Sequence, residues 1–200
     1  MSGDETAMEP IRTDEILGRD AYERARPGLR RRIAVLKERR RVPVGAHATL
    51  HFETRDTMLY QVHEMLRAEG SWERPGAVED ELAAYNPLVP SGRELSATLM
   101  LEYEVPEERA VRLRELLGLE EHLWLHVGDG GPVRGVFDRA QVSPTRISSV
   151  QYVKFPLSEE QARLLRAEGT VLRLVVDHPA YLARAVLGEE TRRELARDLA

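Results

Sequence analysis

The stretch HATLHFETRDTMLYQVHEML, residues 47–66, contains three of the six histidines of the chain among several carboxylates. Imidazole and carboxylate groups together can bind iron, manganese or zinc, or can transfer protons. The spacing limits which groups can act together, because residues two apart on a strand are separated by ~6.6 Å and residues four apart by ~13 Å. His51 and Glu53 can therefore share one metal ion, whereas His47 and His51 cannot.

The hydrophobic pattern predicts the elements that carry these residues. VGAHATLHFET alternates between apolar and polar residues, which is typical of a half-buried strand. RDTMLYQVHEMLRAEG has apolar residues at helical spacing and ends at Gly70, so we expect a helix after the strand. His63 on this helix can fold back to complete a metal site with His51 and Glu53. The alternative is a solvent-facing strand and helix whose polar side chains bind no metal, and the stretch contains no HExxH motif.

A second group of polar residues lies at the end of an apolar run that is predicted to form a strand. The run VLRLVV leads to Asp177 and His178, and Pro179 restricts His178 to an extended conformation. An aspartate beside a histidine can orient or charge the imidazole, so this pair is a candidate binding or catalytic site. The alternative is that Asp177 binds the amides of the turn while His178 packs beside Tyr181.

The composition excludes several classes of chemistry. The chain has 200 residues and no cysteine, which excludes thiol nucleophiles and metal centres held by its own thiolates. Its acidic and polar N-terminal segment lacks the basic and apolar regions of a signal peptide, and no apolar run is long enough to span a bilayer. We therefore expect a cytoplasmic protein that binds no cofactor. The alternative is a protein that binds iron, manganese or zinc.

Positive charge is concentrated in one segment. The net charge is −5, yet ten basic and only three acidic residues lie between Arg19 and Arg41. A helix with solvated arginines explains this segment if acidic residues elsewhere balance the charge. The alternative is a docking patch for an acidic protein partner. For that patch we select Arg30, Arg31, Arg32, Arg39 and Arg40. No aromatic residue lies between Arg24 and Arg41, so a nucleic-acid partner is not expected.

Helical and strand-like segments are interleaved, and short connections join several of the later strands. HLWLHVGDGGPVRGVFD predicts a hairpin around the glycine-rich turn at residues 128–131. SEEQARLLRAEG begins with a capping box, Ser158 to Gln161, that predicts the start of a helix. These features favour an α+β fold with a mixed, mostly antiparallel sheet and several packed helices over a doubly wound parallel fold.

The N-terminal residues are predicted to lie outside the folded domain. Residues 1–12 carry little that can be buried and are expected to form a disordered tail, with a single α+β domain over residues 13–200. Thr13 is a suitable N-cap for a first helix. A second helix is expected through GLRRRIAVLKERRR, where Pro27 and Gly28 either interrupt or begin it.

Six segments, in this order, resemble an uncharacterised bacterial family, domain of unknown function 3501. They are AYERARPGLRRRIAVLKERRRVPVG, FETRDTMLYQVHEML, ELAAYNPLVPSGRELSATLMLE, GLEEHLWLHVG, SSVQYVKFPL and VVDHPAY. The resemblance covers nearly the whole chain from about Ile11 onward. Genes of that family often lie beside genes for rubrerythrin-like proteins and an iron-sulfur oxidoreductase. The resemblance therefore implies a supporting role in redox or peroxide-stress chemistry.

The resemblance also changes which residues of the stretch 47–66 are expected to form a site. The family pattern has other residues where this chain has His51 and His63, which weakens a shared metal site. The residues that fit it better, together with the second polar pair, form the expected binding site: Glu53, Asp56, Gln61, Glu64, Asp177 and His178. The leading hypothesis is a non-enzymatic accessory protein that binds the iron-sulfur oxidoreductase or the rubrerythrin-like partner. The second hypothesis is a metal-dependent enzyme or sensor in which these groups converge in one pocket.

Overall fold

The computed structural model describes residues 9–138, 141 and 145–199, which form six helices and nine strands. The helices are α1 (Arg19–Arg40), α2 (Arg55–Glu69), α3 (Ala77–Tyr85), α4 (Pro106–Glu115), α5 (Glu159–Arg166) and α6 (Glu189–Ala196). The strands are β1 (Arg41–Val44), β2 (Ala48–Phe52), β3 (Glu94–Leu101), β4 (Leu123–Val127), β5 (Pro132–Arg134), β6 (Val136–Phe137), β7 (Val150–Pro156), β8 (Leu172–His178) and β9 (Tyr181–Val186). Short 3-10 helices lie at Thr13–Glu15, Asn86–Leu88 and Leu119–Glu121.

The strands form two antiparallel sheets. Their strand orders are β1-β2-β3-β7-β6 and β5-β4-β8-β9, and the neighbouring strands in each run antiparallel. The α+β class predicted from the sequence is confirmed, and so is the hairpin at the glycine-rich turn, which joins β4 to β5. No helix in the described part of the chain is long and apolar enough to cross a membrane.

Two hydrophobic cores lie on opposite faces of the five-stranded sheet. The larger core contains side chains from both sheets, including Leu50 and Phe52 of β2 and Leu125 of β4. The smaller core contains Met58 of α2 and has Tyr152 of β7 packed against it. Because successive residues of a strand point to opposite faces, the polar residues of β2 lie on the side of the smaller core.

Local signals explain the join between β2 and α2. Thr54 is the N-cap of α2, and its hydroxyl accepts a hydrogen bond from the backbone N–H of Thr57. The hydroxyl of Thr57 in turn accepts from the N–H of Thr54, which completes a reciprocal cap. Gly70 ends the helix with φ 61°, a left-handed conformation that favours glycine. Asp56 lies in the first turn of α2, where the helix dipole favours a carboxylate.

Helix α1 differs from the predicted pair of helices. Thr13 begins only a 3-10 turn, and α1 continues through Pro27 and Gly28 without a break. Proline inside a helix is unfavourable by about 3 kcal/mol. Tyr22 and Ile33, which are buried on either side of Pro27, hold both halves of α1 in place. Tertiary packing has therefore overridden the local preference.

The predicted disordered tail is too long at its C-terminal end. Ile11 is only 2% exposed, and its backbone N–H and carbonyl both bind the side chain of Asn86, at 2.7 and 3.0 Å. The burial of Ile11 and these hydrogen bonds anchor the segment, whose polar composition does not reveal either. Residues 1–8 lie outside the described residues, and the single-domain assignment of residues 13–200 stays a prediction.

Candidate functional site

A pocket of about 230 Å³ lies on the face of the five-stranded sheet opposite the larger core. Its floor follows the strand register, because His51 of β2 is paired with Thr98 of β3, and Thr98 with Tyr152 of β7. We call this the sheet pocket, and its walls come from helices α1 and α2 and from the segment around the end of α3. Its lining residues are Lys37, His51, Glu53, Met58, Gln61, Tyr85, Leu88, Thr98, Met100, Val150 and Tyr152.

Glu53 is the buried acidic group of the sheet pocket. The residue is 4% exposed, and its two carboxylate oxygens accept hydrogen bonds from the hydroxyls of Thr57 at 2.6 Å and Thr98 at 2.7 Å. It forms no ion pair with any residue of the described chain. A buried carboxylate is unfavourable unless a cation or further hydrogen bonds compensate it, so Glu53 retains the capacity to bind a positively charged group.

Lys37 and His51 line the same pocket. No carboxylate among the described residues pairs with Lys37. Burial lowers the pKa of His51, Glu53 opposes this by attraction, and Lys37 adds to the lowering by repulsion. The Nε2 atom of His51 is shielded from solvent and has no hydrogen-bond partner. Within the described part of the chain, the sheet pocket therefore contains an acid and a base that have no ion pair, and an imidazole nitrogen that has no hydrogen bond.

Tyr85 and Tyr152 add hydroxyl groups to the lining of the sheet pocket. Burial raises the pKa of Tyr152, and the neighbouring Tyr85 and Glu53 raise it further. Tyr152 is therefore a neutral donor and acceptor close to Glu53 at physiological pH. Four further lining residues, Met58, Leu88, Met100 and Val150, are apolar, and the two methionines are flexible. The pocket thus combines polar groups of both charges with an apolar wall.

Glu64 and Asp56, two residues expected in the same site, lie on the side of α2 that faces α1. Arg26 donates two hydrogen bonds to Glu64 at 2.7 and 2.8 Å, and the hydroxyl of Tyr22 donates a third at 2.6 Å. These contacts, that of Arg26 above all, lower the pKa of Glu64 to about 2. Asp56 forms an ion pair with Arg32 at 3.7 Å. Both carboxylates are therefore used to join the two helices.

A second pocket of about 230 Å³ lies on this side of α2, and we call it the helix pocket. Its lining residues are Glu15, Leu17, Leu29, Arg32, Ile33, Asp56, Leu59, Tyr60 and His63. His63 is 3% exposed and stacks on Tyr22 with 4.6 Å between ring centroids. Its Nε2 accepts from the N–H of Leu17 at 2.9 Å, and its Nδ1 donates to the carbonyl of Leu59 at 2.7 Å.

The metal site predicted from Glu53, His51 and His63 does not form in this arrangement. Both ring nitrogens of His63 are occupied by backbone groups, so the imidazole has no lone pair for a metal. His63 also lines the helix pocket, whereas His51 and Glu53 line the sheet pocket. Across the described residues, no group of three or more His, Asp or Glu side chains is placed to hold a metal ion.

Asp177 and His178 belong to the other sheet and line neither pocket. The exposed carboxylate of Asp177 accepts hydrogen bonds from His122 at 2.9 Å and Trp124 at 3.2 Å. Buried His178 donates from Nε2 to the carbonyl of Leu117 at 3.0 Å and accepts at Nδ1 from the N–H of Ala180 at 3.1 Å. The predicted convergence of this pair with the carboxylates of α2 is therefore not found.

The arginines proposed for docking separate into two groups. Arg40 is 2% exposed and binds the carbonyls of Phe52 and Glu194 and the carboxylate of Asp198, so it cannot contribute to a docking surface. Arg32 pairs with Asp56, and Arg39 pairs with Glu190 at 3.0 Å. These three arginines pair with acidic residues elsewhere in the chain, as the first interpretation predicts, although Arg40 is buried and not solvated. Arg30 and Arg31 are exposed and have no ion pair in the described part of the chain.

Of the residues selected from the sequence, Glu53, Gln61 and His51 line the sheet pocket, and most of its other lining residues were not selected. Tyr85, Thr98 and Tyr152 reach it from segments distant in sequence. The alternation in SATLMLE gives a partial signal, because it places Thr98 on the face opposite the buried Leu99. The pairing of β2 with β3 and of β3 with β7 supplies the rest.

Comparisons with known proteins identify a family and a solved structure of similar fold, and their descriptions name no activity. A family model described as "Protein of unknown function (DUF3501)" matches residues 10–199. Among solved structures, the chain is similar to a novel protein of unknown function from Burkholderia pseudomallei, with 35% sequence identity and a TM-score of 0.89. That match covers 96% of this chain and 100% of the other. No curated protein matches the chain.

Proposed function

Because the chain belongs to the DUF3501 family, whose function is unknown, we propose from the pocket geometry that it is an accessory protein that binds a small polar ligand in the sheet pocket. Glu53 carries the proposal, since it is a buried carboxylate that lines a pocket and has no ion pair in the described chain. A ligand with a complementary group would offset the unfavourable burial of this charge. The redox or peroxide-stress setting implied by the family resemblance is part of the same proposal.

The lining groups suit binding better than metal chemistry. Glu53 already holds two threonine hydroxyls, which fix the carboxylate in one orientation. Gln61, Tyr85 and Tyr152 supply further donors and acceptors around it. A few fixed polar groups within an apolar wall are the usual composition of a small-molecule site.

Ligand-observed NMR with a library of cationic, anionic, zwitterionic and neutral metabolites tests this function. Met100→Trp should fill the sheet pocket, because Met100 lines it from the exposed face of β3. Val136→Trp is the matched control, since Val136 is exposed on the same sheet and does not line the pocket. We expect library members that bind the wild type and the control but not Met100→Trp. Binding by none, or binding that survives Met100→Trp, would reject the function.

A second candidate function is docking onto a protein partner through Arg30 and Arg31. Both side chains are exposed, and neither has an acidic partner in the described chain. Unpaired arginines are suited to bidentate contacts with carboxylates on an acidic surface. We propose the iron-sulfur oxidoreductase or the rubrerythrin-like protein as that partner, as the family resemblance implies.

Affinity measurements with both purified partners test this docking. The double substitution Arg30→Glu with Arg31→Glu should weaken binding by roughly tenfold or more at low salt, because charge reversal removes electrostatic steering. Arg163→Glu with Arg166→Glu on α5 is the matched control, since those arginines are also exposed and unpaired in the described chain. Equal weakening by both double variants, or no binding by the wild type, would reject docking at this patch.

A further inference from the structure

We infer that the ligand of the sheet pocket is a small zwitterion, with an ammonium group that pairs with Glu53 and a carboxylate that pairs with Lys37. This inference rests on the proposed binding function and specifies its ligand. The pocket contains one acidic and one basic side chain, and neither is paired with another described residue. A ligand with a single charge would leave one of them without a partner.

The acidic end of the pocket is prepared for an ammonium group. Thr57 and Thr98 each donate one hydrogen bond to the carboxylate of Glu53 and so restrict its orientation. A carboxylate has about four lone-pair sites, so two hydrogen bonds leave it able to accept more. In a buried position, a charged hydrogen bond from an ammonium is stronger than one in water.

The basic end of the pocket is formed by α1. Lys37 is the one basic side chain that lines the sheet pocket within the described chain, and it is partly exposed. Both charges act on the imidazole of His51, because Glu53 raises its pKa whereas Lys37 lowers it. Lys37, His51 and Glu53 all line one cavity of about 230 Å³, so a short molecule with opposite charges can contact both ends.

The size and the walls of the pocket restrict the ligand further. A volume of about 230 Å³ corresponds to about eight water molecules in the liquid and is below the usual range for drug-sized ligands. Met58, Leu88 and Met100 provide an apolar wall, against which an aliphatic or aromatic portion can pack. Free amino acids and their β- and γ-amino analogues have the required charges and dimensions.

Isothermal titration calorimetry with amino acids and their single-charge analogues tests the inference on the intact protein. The probes are the proteinogenic L-amino acids, β-alanine and γ-aminobutyrate, each compared with the amine that lacks the carboxylate and the acid that lacks the amino group. We expect at least one amino acid to bind, and each of its two analogues to bind about tenfold more weakly or worse. An amine or an acid that binds as tightly as the parent amino acid would overturn the inference.

Two substitutions assign each ligand charge to its partner. Glu53→Gln should reduce the affinity for the amino acid to that for the deaminated acid, and Lys37→Met should reduce it to that for the amine. Glu94→Gln and Lys154→Met are matched controls, because this acid and base pair with each other at 2.9 Å and do not line the pocket. Thermal unfolding of each variant shows that it is folded. Equal effects of Glu53→Gln on the amine and the acid would overturn the assignment.

The inference and the underlying function fail in different ways. If no amino acid binds but other library members bind in a manner that Met100→Trp abolishes, the zwitterion is rejected and the binding function stands. If no library member binds at the sheet pocket, both are rejected. Because the ligand analogues require no substitution, this result does not depend on whether Glu53→Gln folds.

Discussion

Helix α2 separates two pockets of about 230 Å³ whose charged residues are used differently. In the helix pocket, Asp56 pairs with Arg32, and Glu15 accepts a hydrogen bond from Arg55 at 2.7 Å. The buried His63 there has both ring nitrogens bonded to the backbone. In the sheet pocket, Glu53 and Lys37 have no ionic partner among the described residues. The charged residues of the helix pocket are paired within the fold, whereas those of the sheet pocket are the groups that the proposed ligand would contact.

Substitution of Arg40 should cause the largest loss in the free energy of unfolding, because its charge is buried and its partners lie within the fold. Arg40→Met removes the partner of Asp198 and the donors to the carbonyls of Phe52 and Glu194. Breaking a buried ion pair usually lowers the free energy of unfolding by about 3–5 kcal/mol, and we expect a loss in this range by urea denaturation. Arg39→Met, the exposed neighbour, should lose less than about 1 kcal/mol. Similar losses for both would show that burial does not determine the effect.

His63 of the helix pocket and His51 of the sheet pocket give the next comparison. His63→Gln should lower the free energy of unfolding by about 1–3 kcal/mol, because the N–H of Leu17 and the carbonyl of Leu59 lose well-placed partners. His51→Gln should have a smaller effect, since Nε2 of His51 has no partner to lose. Urea unfolding at neutral pH measures both, and a larger loss for His51→Gln would contradict the comparison.

The same histidines should make stability depend on pH. Burial lowers the pKa of His63 below the unfolded value of 6.5, so the unfolded state binds the proton first as the pH falls. The contribution of neutral His63 to stability is therefore full above pH 6.5 and is lost progressively below it. His63→Gln should flatten this part of the profile. Burial also lowers the pKa of His51, so the His51→Gln variant should remove a second part of the stability loss seen below pH 6.5.

Glu64 joins α2 to α1, so its substitution should lower the free energy of unfolding more than substitution of Glu53. Glu64→Gln weakens the contacts with Arg26 and Tyr22 and should lower the free energy of unfolding by about 1 kcal/mol at neutral pH. The pKa of Glu64 falls from 4.5 to about 2, so its ionised form stabilises the fold above pH 4.5, and this contribution is lost as the pH approaches 2. The loss caused by Glu64→Gln should therefore shrink in acid.

Glu53→Gln should change stability least. The glutamine oxygen still accepts a threonine hydrogen bond, and the substitution removes a buried charge that has no ionic partner in the described chain. We expect the free energy of unfolding to stay within about 0.5 kcal/mol of the wild type or to rise. A loss as large as that of Glu64→Gln would show that Glu53 is structural, and it would remove the distinction between the two pockets.

The elements of the fold could largely be predicted, because their signals are local. Alternation identified β2, the Ser158 capping box identified the start of α5, and Gly70 marked the end of α2. Where packing opposed a local signal, as at Pro27, the sequence favoured two interpretations and the structure selected one. The burial of Ile11 depends on contacts with Asn86, 75 residues away, which no local pattern contains.

The site could be predicted only in part. Glu53 and Gln61, which the sequence selected, line the sheet pocket, whereas Asp56 and Glu64 on α2 face α1 and form ion pairs. Whether a carboxylate has a cationic partner depends on how α1 packs against α2, and composition does not reveal this. The remaining polar groups of the sheet pocket meet through strand register between distant segments. Long-range pairing therefore determines which of many polar residues share one cavity.

The contact between Arg40 and Asp198 also sets an order for biosynthesis. The two residues are 158 positions apart, and Arg40 also donates to the carbonyl of Glu53, at the end of β2. While the chain is still emerging from the ribosome, Arg40 has to remain hydrated until residue 198 is available. Contacts of such long sequence separation form late in folding. The sheet pocket next to Glu53 should therefore mature only after translation of this segment, and a nascent chain should not bind the proposed ligand before that point.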